Sequence, residues 1–223
     1  MRQVKVSRLI MVLEQLVPRL ASPKREYEQY RTPPEIAVDI ALCIARHPCS
    51  LVIDLGSGTG MLSYAVHIVT GCYAVGVEID EEAAQLARGS RLYTESIVDF
   101  IVADVAHLPI RQLGDVCIVQ NPPFGVSRRR ADRAFINAGI GVGAHTICSL
   151  HYAGQGVKRY LARILGQAGY CIDFIKVYKF PLPAMYSDHV KRIHYIPVLL
   201  LKAWRVERGQ SHDAEECRGT SRA

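Results

Sequence analysis

The stretch Asp115-Val-Cys-Ile-Val-Gln120 runs without a spacer into Asn121-Pro122-Pro123-Phe124-Gly125. Apolar, β-branched residues that stop at two prolines describe a buried strand that cannot continue. Proline donates nothing to a ladder and forces the residue before it into extended backbone. Asn121 is therefore predicted at the carboxyl end of a central strand, where open α/β sheets gather their ligands. A plain strand-ending turn would use the same residue types.

An amide and a carbonyl held rigidly side by side suit one kind of chemistry, group transfer to a planar exocyclic amine. The lone pair of such a nitrogen is delocalised into its ring and must be freed before it attacks. If the Asn121 side-chain oxygen and the Pro122 carbonyl each accept one amine hydrogen, they favour the charge that develops on nitrogen. Pro123 keeps that backbone rigid, and Phe124 would stack on the base.

The rest of the chain supplies what such a site needs. At 223 residues and 49% hydrophobic composition it is expected to form one globular unit. Residues 1–48 read as helices and a loop packed on the domain, 49–204 as the domain itself, and 205–223 as a polar tail expected to be disordered. No apolar run is long enough to span a bilayer and no signal-peptide core opens the chain, so a cytoplasmic protein is expected. The seven cysteines are odd in number, scattered and without a CxxC pair. They read as core fillers, with no metal site and no disulfide. A net charge of +6 is compatible with a nucleic-acid partner.

Val6, Leu9, Ile10, Leu13, Leu16 and Val17 recur at helical spacing, which predicts an amphipathic helix ending near Pro18. In Glu28-Gln-Tyr-Arg-Thr32-Pro-Pro-Glu35, Thr32 reads as the N-cap of a second helix with Glu35 completing a capping box. Leu51 to Leu55 then predicts a strand that enters Gly56-Ser57-Gly58-Thr59-Gly60 before a helix opening at Met61. These glycines permit a tight bend and let a nucleotide approach the backbone at a helix N-terminus. The third glycine of a dinucleotide fingerprint would stand where Met61 does, so the spacing leans away from NAD.

Tyr73 to Val77 makes a second strand ending in Glu78-Ile79-Asp80. A carboxylate there can accept from both hydroxyls of a ribose. Asp80 reads as the cap of a helix from Glu81 to Tyr93, which leaves Glu78 for the ribose, though the two acids could exchange roles. Val98 to Ala103 is a third strand, after which Asp104 and Val105 could pair with and cover an adenine; a loop aspartate is the plainer reading of Asp104. Strand, glycine turn, helix, acidic strand end, helix, strand and the Asn-Pro-Pro-Phe strand follow in the order of a doubly wound α/β sheet.

In this order the chain resembles the class I S-adenosylmethionine-dependent methyltransferases, and Asn-Pro-Pro-Phe resembles their amino-methyltransferase branch. Glu28-Gln-Tyr-Arg-Thr32, Asp54-Leu-Gly-Ser-Gly-Thr-Gly60, Asn121-Pro-Pro-Phe-Gly125, Ser149-Leu-His151 and Leu182-Pro-Ala-Met-Tyr186 together are similar to the small-subunit ribosomal RNA N6-adenine methyltransferases shared by archaea and eukaryotes. The resemblance implies a Rossmann-like, mostly parallel seven-stranded sheet with an antiparallel last strand. It implies S-adenosylmethionine as cofactor, with Gln29 and Thr32 closing over its methionine end. Asp54, Gly56, Gly58, Thr59 and Met61 would line the glycine turn, Glu78 would hold the ribose, Asp104 and Val105 the adenine, and Asn121 would touch the cofactor as well as the amine. Asn121, Pro122, Pro123 and Phe124 would be catalytic. Family members also act with a small zinc-binding activator subunit along a sheet edge. Ser57 and Thr59 stand where the family often carries cysteines, a departure that backbone contacts tolerate.

On the target side, Arg128, Arg129 and Arg130 follow the tetrapeptide directly and suit RNA phosphates, or form a solvated helix start. His151 reads as structural, since an amine of this kind needs no dedicated base. Residues 170–180 and 193–204 are expected as a final antiparallel pair, joined by a long basic loop. Its Tyr186, His189, Lys191 and Arg192 could grip RNA or merely cover the surface. The expected activity is methyl transfer to the N6 amine of an adenosine in structured RNA. Glutamine in protein, adenine in DNA and the guanine amine of RNA present the same sp² nitrogen, and a non-catalytic RNA-binding module would keep the fold without needing Asn121.

Overall fold

A computed structural model of the protein describes residues 5–47, 49–110, 115–125, 132–183 and 193–205. Alternation of apolar side chains along buried strands builds the sheet. Val52, Cys117, Val119 and Leu200 point to one face, while Ile53, Ile118 and Leu201 point to the other. The strands are β1 (Leu51–Leu55), β2 (Tyr73–Glu78), β3 (Val98–Val102), β4 (Val116–Gln120), β5 (Thr146–Tyr152), β6 (Tyr170–Pro183) and β7 (Ile193–Arg205). They form one seven-stranded sheet in the order β3-β2-β1-β4-β5-β7-β6. β1 to β5 are mutually parallel, and β7 runs antiparallel to both β5 and β6.

Helices cover both faces. α1 (Val6–Leu16), α2 (Pro34–Ile44) and α3 (Met61–Thr70) bury Leu9, Leu13, Ile36, Ile40, Leu62 and Val66 against one. α6 (Asp132–Val142) and α7 (Val157–Gln167) bury Ile136, Leu161 and Leu165 against the other. Each fully buried Leu or Ile of this kind contributes about 2 kcal/mol. The order reverses between β1 and β4, so the carboxyl ends of these two strands flank the crevice in which doubly wound sheets bind ligands.

Three local expectations are corrected. The helix after β2 is not continuous to Tyr93: α4 covers Glu81–Arg88, and α5 (Arg91–Thr94) starts anew after Gly89. Ser90 causes the break, its Oγ accepting from the Leu92 amide at 3.1 Å and donating to the Leu16 carbonyl at 2.9 Å. α2 begins at Pro34 with Pro33 in the cap position and no side-chain cap, so Thr32 does not cap it. Cys49 and Cys117 are joined in a disulfide with their Cα atoms 5.9 Å apart, although no cysteine was expected to pair. The reason is register. Leu51 lies opposite Val116, which brings the approach to β1 beside the start of β4. Residues 184–192 and the tail from 206 onward lie outside the described residues. Among the described residues no helix is long and apolar enough to cross a membrane.

Candidate active site

A cavity of about 1140 Å³ opens over the carboxyl ends of β1, β2 and β4. Every residue assigned from the sequence to the cofactor lines it: Gln29, Thr32, Asp54, Gly56, Gly58, Thr59, Met61, Glu78, Asp104, Val105 and Asn121. Pro123 joins them. Pro122 is buried, and Phe124 is half-buried beside the cavity with its ring against Tyr30 and Phe180. Arg128, Arg129, Arg130, Tyr186, His189, Lys191 and Arg192 lie outside the described residues.

The glycine turn is built by its backbone. Gly56, Gly58 and Gly60 all have positive φ (70°, 55° and 92°), a region that favours glycine. The Gly56 and Ser57 amides both donate to the Val77 carbonyl, at 2.8 and 3.0 Å, which ties the turn to the end of β2. A side chain at Gly56 would meet the Phe135 ring at 2.8 Å.

Two acids sit beneath this turn. Glu78 Oε2 accepts from the Gly58 amide at 2.7 Å and Oε1 from the Asp80 amide at 2.9 Å. Burial raises the Glu78 pKa, and those two amides oppose the rise. Asp54 Oδ2 accepts from the Ser63 amide and hydroxyl at 2.9 and 2.6 Å, while its Oδ1 is buried with no partner among the described residues. Burial pushes its pKa up to about 7 against the hydrogen bonds from Ser63.

Asp80 does cap α4, accepting from the Glu82 amide at 3.2 Å. It also accepts from Lys24 Nζ at 2.6 Å and Gln29 Nε2 at 2.7 Å. Burial works to raise its pKa, but the bonds from Lys24 and Gln29 outweigh that and hold the carboxyl below its usual range. The Gln29 side chain is thus engaged at both ends, since its Oε1 accepts from the Lys24 amide at 2.7 Å. Asp104 caps its own turn through the Ala106 amide at 2.8 Å and lines the cavity as well. Thr59 Oγ1 donates to the Pro18 carbonyl at 2.7 Å.

Asn121 is oriented from the N-terminal segment. Its Nδ2 donates to the Tyr30 carbonyl at 3.3 Å and the Thr32 hydroxyl at 3.0 Å. A carbonyl can only accept, so this contact sets which end of the amide is nitrogen. The Asn121 Oδ1 is left buried at the strand end with no partner among the described residues. Beneath it, Gln120 Nε2 donates to Ser149 Oγ at 2.9 Å and Ser149 Oγ meets His151 Nε2 at 2.8 Å. All three residues are buried, which makes His151 part of a buried polar chain that starts at the residue before Asn121.

Sequence reasoning missed several walls of the cavity. Phe135, in the first turn of α6, lines it and packs on Gly56. Arg19 to Pro23 and Glu26 to Tyr27 wall the near side. Their composition carries no signal of a site; they are drawn in because Lys24 and Gln29 fasten to Asp80.

The residues present fit S-adenosylmethionine. They offer a glycine turn with open space at Gly58, a buried carboxylate at the tip of β2, and unpartnered oxygens on Asp54 and Asn121 that call for donors.

Comparison with known proteins agrees. The methyltransferase small domain matches residues 41–141. An uncharacterised protein of Methanocaldococcus jannaschii, MJ0284, is 30% identical over 209 residues, covering 89% of this chain and 94% of its own. The rRNA N(6)-adenosine-methyltransferase Mettl5 of Drosophila melanogaster is 30% identical over 203 residues, covering 84% of this chain and 89% of its own. Among solved structures, the putative RNA methyltransferase PH1948 from Pyrococcus horikoshii superposes with a TM-score of 0.80 at 25% identity. That match spans 92% of this chain and all of the other. With relatives at this identity along nearly its full length, a matched methyltransferase domain, and a cavity whose residues suit the donor, the chain belongs to the class I, S-adenosylmethionine-dependent methyltransferase family of these proteins.

Proposed function

We propose that the protein methylates the exocyclic N6 amine of an adenosine in structured RNA, small-subunit ribosomal RNA in particular. The observation that carries this is the buried, unpartnered Asn121 Oδ1, held at the cavity edge by an amide whose nitrogen is committed to Tyr30 and Thr32. S-adenosylmethionine, when bound, supplies a methyl group already activated by its sulfonium. The chain's own part is to accept and aim. Asn121 Oδ1 and the Pro122 carbonyl take the two amine hydrogens, which localises the nitrogen lone pair and stabilises the charge that grows there. Once alkylated the nitrogen is acidic and loses its proton to water, so no base is required.

Glu78 is the ribose ligand in this reading, and Asp104 and Val105 the adenine ligands. Asp54, Gln29 and Thr32 belong to the cofactor's amino-acid end. Phe124 faces the target base. The target is unpaired or flipped, at a cost of a few kcal/mol. Arg128, Arg129, Arg130, Tyr186, His189, Lys191 and Arg192 are the proposed RNA contacts, and a small zinc-binding activator on a sheet edge is the proposed partner. The names borne by Mettl5 and PH1948 support an RNA substrate.

The test is transfer of labelled methyl from S-adenosylmethionine to total RNA, genomic DNA and protein in parallel, using protein isolated with its bound subunits. Nucleoside digestion and mass spectrometry follow. N6-methyladenosine from small-subunit RNA is the expected product. Label in DNA or in glutamine overturns the substrate, and no label in any acceptor overturns the enzyme.

A further inference from the structure

Glu28 stands apart from the residues used so far. Among the described residues it alone combines a side chain with a positive φ, 48°, a backbone conformation that costs a non-glycine residue about 1 kcal/mol. It closes the short 3₁₀ turn Arg25–Tyr27 and is 6% exposed, burying a carboxylate. Its Oε2 accepts from the Gly125 amide at 3.1 Å, 97 residues along the chain. Gly125 also has positive φ, 81°.

The neighbours of Glu28 divide between two tasks. Gln29 turns to Asp80 and the rim of the cofactor cavity. Tyr30 turns the other way, placing its ring in a near-parallel stack with Phe124 (centroids 6.2 Å apart, planes 16° apart) and its carbonyl on Asn121. One short loop thus touches both halves of the site. The far end of the Asn-Pro-Pro-Phe-Gly segment has few groups by which it can be held, because Pro122 and Pro123 have no amide hydrogen. The Gly125 amide is where Glu28 takes hold.

We propose that Glu28 is a positioning residue that carries closure of the cofactor-capping loop to the amine-accepting loop. When residues 26–32 settle over the cofactor, the carboxylate pins Gly125 and so fixes the Pro122 carbonyl and Phe124 relative to Asn121. This inference rests on the amine-methylation reading above.

Two variants test it. Glu28→Gly removes the carboxylate while relieving the left-handed backbone, so the fold does not suffer through strain; Glu28→Gln keeps an acceptor for the Gly125 amide. The first readout is hydrogen exchange at Gly125 with and without S-adenosylhomocysteine. Between residues 121 and 125 only Asn121, Phe124 and Gly125 carry exchangeable amides, so the signal is readily assigned. S-adenosylhomocysteine is expected to slow Gly125 exchange by about tenfold in wild type and in Glu28→Gln, and to protect only the capping loop in Glu28→Gly. The second readout is turnover, where Glu28→Gly is expected to lose about tenfold or more in kcat with S-adenosylhomocysteine affinity kept, and Glu28→Gln to restore it.

Equal protection of Gly125 in Glu28→Gly and wild type overturns the proposal. So does an unchanged kcat in Glu28→Gly, or loss in both variants alongside a common fall in Tm. If wild type transfers no methyl to RNA, the proposed function falls, and the exchange result still decides whether Glu28 couples the two loops.

Discussion

The Thr32 hydroxyl lies 3.0 Å from Asn121 Nδ2, across a separation of 89 residues. Local sequence logic makes Thr32 a helix cap, yet α2 starts at Pro34 without one and the hydroxyl serves the strand end of β4 instead. Thr32→Val keeps the shape and removes the acceptor. Asn121 then loses one of its two anchors, and kcat is expected to fall about tenfold, with Tm lowered by no more than a few degrees. Single-turnover methyl transfer and a thermal melt of the same preparation check both.

Asn121→Ala removes the unpartnered acceptor itself. Turnover is expected to fall by about 10³-fold or more, the scale of losing a key charge-stabilising group. Affinity for S-adenosylhomocysteine, measured by calorimetry, is expected to stay within a few fold of wild type.

Asp54 makes stability depend on pH. Its folded pKa is raised by burial to about 7, above the value of an exposed aspartate, so the folded chain holds a proton that the unfolded chain releases. Stability from this group is therefore present below about pH 4 and is lost as pH rises toward 7. Glu78 is shifted in the same direction by its own burial and adds to the trend. Asp54→Asn is expected to flatten the decline of Tm between pH 4.5 and 7.5 without abolishing it, because Glu78 remains.

Cys117→Ala opens the link to Cys49, which closes 68 residues. The expected loss is about 2–4 kcal/mol, read as a shift in denaturation midpoint that added reductant reproduces in wild type but not in the variant. Cofactor affinity is expected to be unchanged, since neither sulfur lines the cavity.

The sheet was legible because its signals are local and repeated. Leu51 to Leu55, the glycine turn and Met61 follow each other within one strand–turn–helix unit, and the apolar runs of β2, β3 and β4 are bounded by acids or prolines. The cavity lining drawn from β1 to β4 was legible for the same reason, since those residues stand at a strand end or in the turn after one, whereas Gln29 and Thr32 lie in the loop before α2 and were drawn from the family resemblance. What stayed hidden depends on pairs far apart. Nothing around Glu28 announces Gly125, nothing in the spacing of seven cysteines sets Cys49 beside Cys117, and Phe135 reads as an ordinary helical apolar residue until Gly56 is seen against it. The break at Ser90 belongs to this group, because its cause is a carbonyl on α1, at Leu16.

The Cys49–Cys117 link sits where β1 and β4 begin, whereas Asn121, Gly56 and the capping loop gather where these strands end. The covalent fastening is thus at one pole of the sheet, while the site at the other is held by hydrogen bonds such as those between Glu28 and Gly125 and between Thr32 and Asn121. Rigidity added at the amino-terminal pole should raise heat tolerance without touching the cavity, while the same crosslink placed above the carboxyl ends would span its mouth.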